Sequence, residues 1–267
     1  MIKTLQTTLK QDKEQFKVPR SVQDTIPIRR LWPDGVFQFG SKYSKTLRFS
    51  DINYAIASKE DKTAMFLSYS ELLNALDTGS TTKITINNKR LNRRNFEQEI
   101  LIPAHGDFLD GGRAEYNAML LDKVTDSSNS VVQERYITLS AHKKNIEEAR
   151  TFFDRTVNDV TSRLNHMDSR CEELGAVERL RVLHDFYRVG EETQYHPDLR
   201  ECMKQGRSFK DAVCPDSMEF KKDHFVMGGK YGRVLFLKEY ASYIKDSMIN
   251  ELTSLNRSLM LSIDIIP

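Results

Sequence analysis

A phrase that recurs 188 residues further along sets the strongest limit on how this chain folds. GSKYSKTLRF runs from Gly40 to Phe49, and GGKYGRVLFL from Gly228 to Leu237. With residues 37–49 laid over 225–237, Phe, Gly, Lys, Tyr and Leu coincide, and Lys45 lies over Arg233. The match is short, and the order of elements around it gives it weight. VFQF and KTLRF flank Gly40-Ser41, while SMEFKKDHFVM and RVLFL flank Gly228-Gly229. Each set reads as a hairpin, with glycine supplying a positive φ at the apex at little steric cost. An amphipathic helix and then a strand follow each hairpin. In the first half, Met65, Tyr69, Leu72, Leu73 and Leu76 share one helical face, with Asp61 as the expected N-cap. TKITINNKR is the strand after it. In the second, Tyr243, Ile244, Met248, Ile249, Leu252 and Leu255 form the face, and LMLSIDII is the strand.

Two related hairpin-helix-strand halves of this kind predict an α+β fold, with helices packed on antiparallel or mixed sheets. Between them the reading is mostly helical. NRRNFEQEIL is a short helix, basic at its start. GRAEYNAMLLDKV has Tyr116, Met119, Leu120 and Val124 at helical spacing, and VVQERYITLS is a strand holding Tyr136 and Leu139. The longest helix carries the stripe Ile146, Ala149, Phe153, Val157, Val160 and Leu164. AVERLRVLHDFY turns Val177, Leu180, Leu183 and Tyr187 inward. The expected organisation is a mobile polar arm over 1–24, a first half over 25–170 and a helical and loop connection over 171–216. A second half over 217–267 is expected to be truncated after its third strand. Trp32, in the proline-bearing connector TIPIRRLWPDG, is expected to pin the arm to the core.

Composition excludes several classes. Among 267 residues, 39% are hydrophobic and 29% charged, which fits a folded domain rather than a disordered chain. No apolar run approaches the ~20 residues that span a bilayer. A net charge of +2 is too mild to imply nucleic acid by itself. Cys171, Cys202 and Cys214 form no paired zinc-type spacing.

Gly229-Lys230 invites comparison with a phosphate loop, which needs G-x-x-x-x-G-K-[ST] between a strand and a helix. Tyr231 stands where Ser or Thr is required, His224 where the first Gly is required, and a strand pattern follows. HGDFLDGG offers His105 and two aspartates, but a simple loop in which Asp110 caps the next helix explains them. His142 and His166 bracket the long helix, and His184 reads as a packed histidine. The best basic cluster is NNKRLNRRNF, with Lys89, Arg90, Arg93 and Arg94 as candidate contacts to phosphate, anionic lipid or an acidic partner. A solvated strand-to-helix connection is the plainer reading of those four residues.

The succession VQDTIPI, DGVFQFG, KYSKTLRFSDINY, NRRNFEQEILIP, RAEYNAMLLDKV, RYITLSAHKKNIEEA, GAVERLRVLHDFYR, MGGKYGRVLFL and LMLSIDIIP covers almost the whole chain. It resembles the N-terminal region of the conjugative-transfer ATPases of type IV secretion systems, of the TraE/TrsE/CagE type in Gram-positive conjugative elements. The resemblance implies a non-catalytic docking and assembly domain, peripheral at the inner face of the cell membrane. Its partners would be inner-membrane transfer components and further copies of the parent ATPase. ATP would bind only through a C-terminal motor domain whose Walker motifs are not in this sequence, so no catalytic residue, cofactor or metal is expected here. The 1–24 arm and the 87–96 cluster are the candidate contacts. A nucleic-acid-binding module of a transfer system is the alternative, and a phosphate-handling enzyme built on residues 228–232 is a third reading.

Overall fold

The computed structural model describes residues 19–52, 54, 56–76, 79–90, 101–126, 131–191, 195, 198–239, 242–243 and 245–266. In chain order the first half contains β1 (Arg30–Leu31), β2 (Phe37–Phe39), β3 (Lys42–Phe49), α1 (Lys59–Asn74), β4 (Ser80–Arg90), α2 (Asp110–Asp126), β5 (Val131–His142) and α3 (Ile146–His166). Then come β6 (Cys171–Glu173), α4 (Ala176–Tyr187), α5 (Leu199–Lys204), β7 (Met218–Phe220), β8 (Phe225–Met227), β9 (Lys230–Gly232), α6 (Asp246–Thr253) and β10 (Leu259–Ile265). The fold is α+β with antiparallel sheets, as the sequence pattern predicts.

The main sheet has the order β1-β2-β3-β5-β4-β10, and β6 joins β3 beyond the end of β2. β5 lies inside, paired with β3 from Arg135 to His142 and with β4 from Val131 to Ala141. Successive side chains on a strand alternate between faces, so β5 serves two environments. Ile137 and Leu139 pack with α3, whereas Tyr136, Thr138 and Ser140 line the opposite face. The α3 stripe Ala149, Phe153, Val157, Val160 and Leu164 is fully buried, as its spacing requires. It meets Leu47, Leu72 and Leu139 in the main core. Asn145 starts the helix by accepting from the Glu148 amide at 2.8 Å. Burying each of these large side chains contributes about 1.5–3 kcal/mol.

α1 starts earlier than expected. Its N-cap is Ser58, whose Oγ accepts from the Asp61 amide at 3.1 Å, while the same hydroxyl donates to the Asp61 carboxylate at 2.8 Å. Asp61 is therefore inside the first turn, where its charge still favours the helix dipole. Trp32 packs against the core with its ring 6.1 Å from Tyr43. Residues 1–18 of the expected arm lie outside the described residues.

α4 closes part of the other sheet face. Leu180 joins Ile26, Ile28, Phe37, Tyr195 and Val213 in a second apolar cluster. Arg179 is buried between this layer and the sheet. Its Nη1 donates to the carbonyls of Gly35 (2.6 Å) and Ser44 (2.8 Å), its Nη2 to Ser44 Oγ (3.0 Å), and its guanidinium lies over the Phe37 ring. Burial pushes its pKa down to about 9, which leaves it charged at neutral pH. Val177 departs from the expected inward stripe: it is exposed, and the buried face of α4 is formed by Ala176, Arg179, Leu180 and His184.

The repeated phrases form hairpins of the same register, although the first turn has one positive-φ residue, Gly40, and the second has two, Gly228 and Gly229. In the first hairpin Phe37 pairs with Ser44 and Phe39 with Lys42; in the second Phe225 pairs with Gly232 and Met227 with Lys230. Adding the same 188 residues converts one register into the other. Gly40 has φ 61°, and Gly228 and Gly229 have φ 55° and 75°, the positive values that two-residue hairpin turns demand. The Ser44 position becomes Gly232 because the Phe225 ring sits over it; a Cβ there would come within 2.2 Å of that ring. The halves do not stand apart. The second hairpin belongs to a three-stranded sheet, β7-β8-β9, but β10 pairs antiparallel with β4, so the third strands of both halves lie side by side in one sheet. β6, from the expected connection, also joins that sheet.

Candidate docking surface

Apolar residues of the second half gather where water reaches them. After β9 the chain runs on without a ladder partner, and Val234, Leu235, Phe236 and Leu237 are all exposed, Leu235 at 82% and Phe236 at 84%. RVLFL was expected as a strand of the hairpin; pairing stops at Gly232. The face expected to bury α6 is exposed as well, at Tyr243, Met248, Leu252 and Leu255, and only Ile249 is half-buried. Ile244 of that face lies outside the described residues. α6 is nonetheless fixed to the sheet. Asn88 Nδ2 donates to the Thr253 carbonyl at 2.6 Å, and Gln133 Nε2 donates to the same carbonyl at 3.1 Å and to Asn88 Oδ1 at 3.0 Å. Of the residues that periodicity assigned to this face, Met248, Ile249 and Leu252 lie on α6, while Tyr243 and Leu255 lie outside it. The anchored helix and the extended segment each leave large apolar side chains in water. The α2 face behaves similarly, with Tyr116 and Met119 exposed.

The basic candidates separate. Lys89 is on β4, and its ammonium pairs with Glu134 at 2.7 Å. Glu134 also accepts from the Tyr136 hydroxyl and lies 3.6 Å from Arg48. Burial works to raise the Glu134 pKa, but Lys89, Tyr136 and Arg48 outweigh it and hold the carboxyl below its ordinary range. Lys89 is thus engaged within the sheet. Arg90 ends β4 opposite Val131. Arg93 and Arg94 lie outside the described residues, as does most of the NRRNFEQEIL helix.

Gly229-Lys230 sits in the hairpin turn and leads into β9, so no helix N-terminus faces it. The Lys230 ammonium approaches the loop after α4: a Cβ on Gly190 would come within 2.4 Å of it. At 105–113, the helix opens on Asp110 itself. That carboxylate accepts from the amides of His105 (3.0 Å) and Gly106 (2.7 Å), so it ties down the preceding loop instead of capping Gly111. Arg113 bonds both Asp107 and Asp110 at 2.5 Å, and its contact holds Asp107 below the usual carboxylate range. The carboxylates are consumed locally. His184 is buried and packs on Tyr195, as its position predicted, with ring centroids 5.0 Å apart.

On the sheet face that α4 leaves uncovered lies a trough of about 470 Å³. Ser44, Thr46, Thr138, Ser140, Thr85 and Ser262 give it a hydroxyl-rich floor, with Lys42 and Lys83 at its side. Alternation of strand side chains explains this polar face; the sequence reading missed it because the hydroxyls come from four separated strands. Among the described residues no group of three His, Cys, Asp or Glu side chains is arranged to hold a metal ion, and no helix is long and apolar enough to cross a membrane. No protein-family model matches the sequence, and no curated protein matches it.

Proposed function

We propose that this chain is a non-catalytic docking and assembly domain of a conjugative-transfer ATPase, linking the motor to inner-membrane transfer components. The phrase succession supports the family, and the surface geometry supports the docking role. The single observation that carries the docking role is the apolar run 234–237, exposed along its length on an otherwise ordered sheet and helix framework. Monomers seldom leave such a run in water unless another surface covers it. The glycine-lysine phrase supports a structural duty, since its register and positive φ values account for it without phosphate.

The test is interference. The 267-residue chain is produced in a donor cell carrying the transfer system that encodes it, and transfer frequency is counted. A docking domain competes with the parent ATPase and lowers transfer; Phe236→Asp, which adds charge to an exposed position, relieves the inhibition. Undiminished transfer with the folded chain present, or equal inhibition by the variant, overturns the proposal.

A further inference from the structure

The hydroxyls of the trough stand in rows across the sheet. Ser44 is paired with Ser140, and Ser140 with Thr81. One step along the strands, Thr46 is paired with Thr138, Thr138 with Lys83, and Lys83 with Asp264. A further step sets Tyr136, Thr85 and Ser262 abreast. Neighbours within a row are about 5 Å apart and successive rows about 7 Å apart. Lys42, two residues before Ser44 on β3, shares its face and lines the same end of the trough.

The rows differ in what is already bonded. In the second and third, Thr46 Oγ1 lies 2.9 Å from Thr138 Oγ1, Thr85 Oγ1 lies 3.3 Å from Ser262 Oγ, and Lys83 pairs with Asp264 at 3.5 Å. In the first, Ser44 Oγ accepts from Arg179, while the Ser140 and Thr81 hydroxyls have no partner among the described residues. The positive charges at this end are likewise unmatched. Arg179 is buried and spends three of its N–H donors on neutral oxygens, and neither it nor Lys42 pairs with a carboxylate among the described residues. A desolvated positive charge with only neutral partners lacks a counter-charge, and an anion at this end supplies one. Asp264, the carboxylate that lines the trough, is on β10 and already faces Lys83. Phe39 and Leu183, which pack on the second apolar cluster, bound the trough on the β2 side, and Met260 bounds it on the β10 side.

We infer that this trough binds a sugar phosphate. The phosphate lies at the first row, against the Lys42 ammonium and the Ser140 and Thr81 hydroxyls, within the field of Arg179. Two unmatched cations suit a phosphate dianion better than a carboxylate. The sugar lies on the second and third rows, whose hydroxyls both donate and accept, with its C–H faces toward Leu183 and Met260. A volume of about 470 Å³ is within the range of small-molecule sites. The inference is independent of the docking role, since it uses neither residues 234–237 nor α6.

The probes are ribose 5-phosphate, inorganic phosphate and ribose, each titrated into the full 267-residue chain and followed by calorimetry and by backbone amide NMR shifts. Ribose 5-phosphate should bind one-to-one with a Kd of about 1 mM or tighter, at least about tenfold tighter than either fragment. The shift changes should concentrate at residues 42–46, 81–85 and 138–140. Lys42→Met and Ser140→Ala should each weaken binding by about tenfold, the loss of one hydrogen bond to a charged group, with the thermal melt little changed. No binding at ~10 mM ribose 5-phosphate, shifts confined to other parts of the chain, or full affinity in both variants overturns the inference. Inorganic phosphate binding as tightly as ribose 5-phosphate marks an adventitious ion only and also overturns it. If a variant does not fold, the shift map of the unaltered chain decides the site by itself.

Discussion

Leu47 and Leu235 occupy the same position in the two repeated phrases, and truncating each to alanine separates burial from sequence. Leu47 is wholly enclosed, on a strand paired with β5 on one side and β6 on the other. Leu47→Ala removes buried methyl groups and leaves a cavity in a core that includes Phe153 and Leu139, so it should cost about 2–5 kcal/mol. Leu235 keeps 82% of its surface in water, and Leu235→Ala should change stability by no more than about 0.5 kcal/mol. The assay is urea unfolding followed by Trp32 fluorescence, since the single tryptophan stacks on this core beside Tyr43. With a urea slope of about 3 kcal/mol/M, at the upper end for small proteins, the Leu47 midpoint should fall by roughly 1 M and the Leu235 midpoint should stay in place. Equal losses would show that residues 233–237 are buried in the isolated chain, and the docking argument would fail.

Two further perturbations test the framework. Arg179→Met keeps apolar bulk but strips the donors from the Gly35 and Ser44 carbonyls and from Ser44 Oγ; a loss of about 3 kcal/mol, read as a melting point lower by roughly 6–12 °C, is expected, and an unchanged melt would refute the structural role. Glu134 has a lowered folded pKa, so its contribution is fully present above the unfolded value near about 4.3 and disappears as pH falls through the folded value. The stability difference between the unaltered chain and Glu134→Gln should therefore shrink as pH is lowered through that window, and a constant difference would refute it.

What the sequence made legible was set by local physics. The α3 stripe was readable because a period of 3.6 over 21 residues leaves one continuous face, and every residue from Ala149 to Leu164 that it named is buried. The hairpin turns were readable because a positive φ selects glycine. Asp61 was read one turn too deep because serine and aspartate both suit a cap, and only the observed Ser58 contact decides between them. Arg179 was not legible at all. Its place in the core depends on carbonyls about 140 residues distant along the chain, as estimated from chain positions, which no local pattern encodes. The pairing of Lys89 with Glu134 was illegible for the same reason, because Glu134 lies on a different strand.

The two phrases share a hairpin register and differ in fate, so burial here is decided by the neighbour a segment finds and not by the segment itself. Lys42–Phe49 becomes a long interior strand because β5 offers it eight pairing positions. Residues 230–237 stop pairing after three, and the remaining apolar side chains stand in water. A sheet edge in that condition is a template for any strand that fits, including unwanted ones. The chain carries partial protection: Lys83 and Asp264 place a charge pair across β4 and β10, and Arg233 and Lys238 flank the apolar run. Charged side chains beside exposed apolar strand segments slow indiscriminate edge-to-edge pairing, so the neighbour a segment finds, and not its apolar content alone, decides whether it joins a sheet.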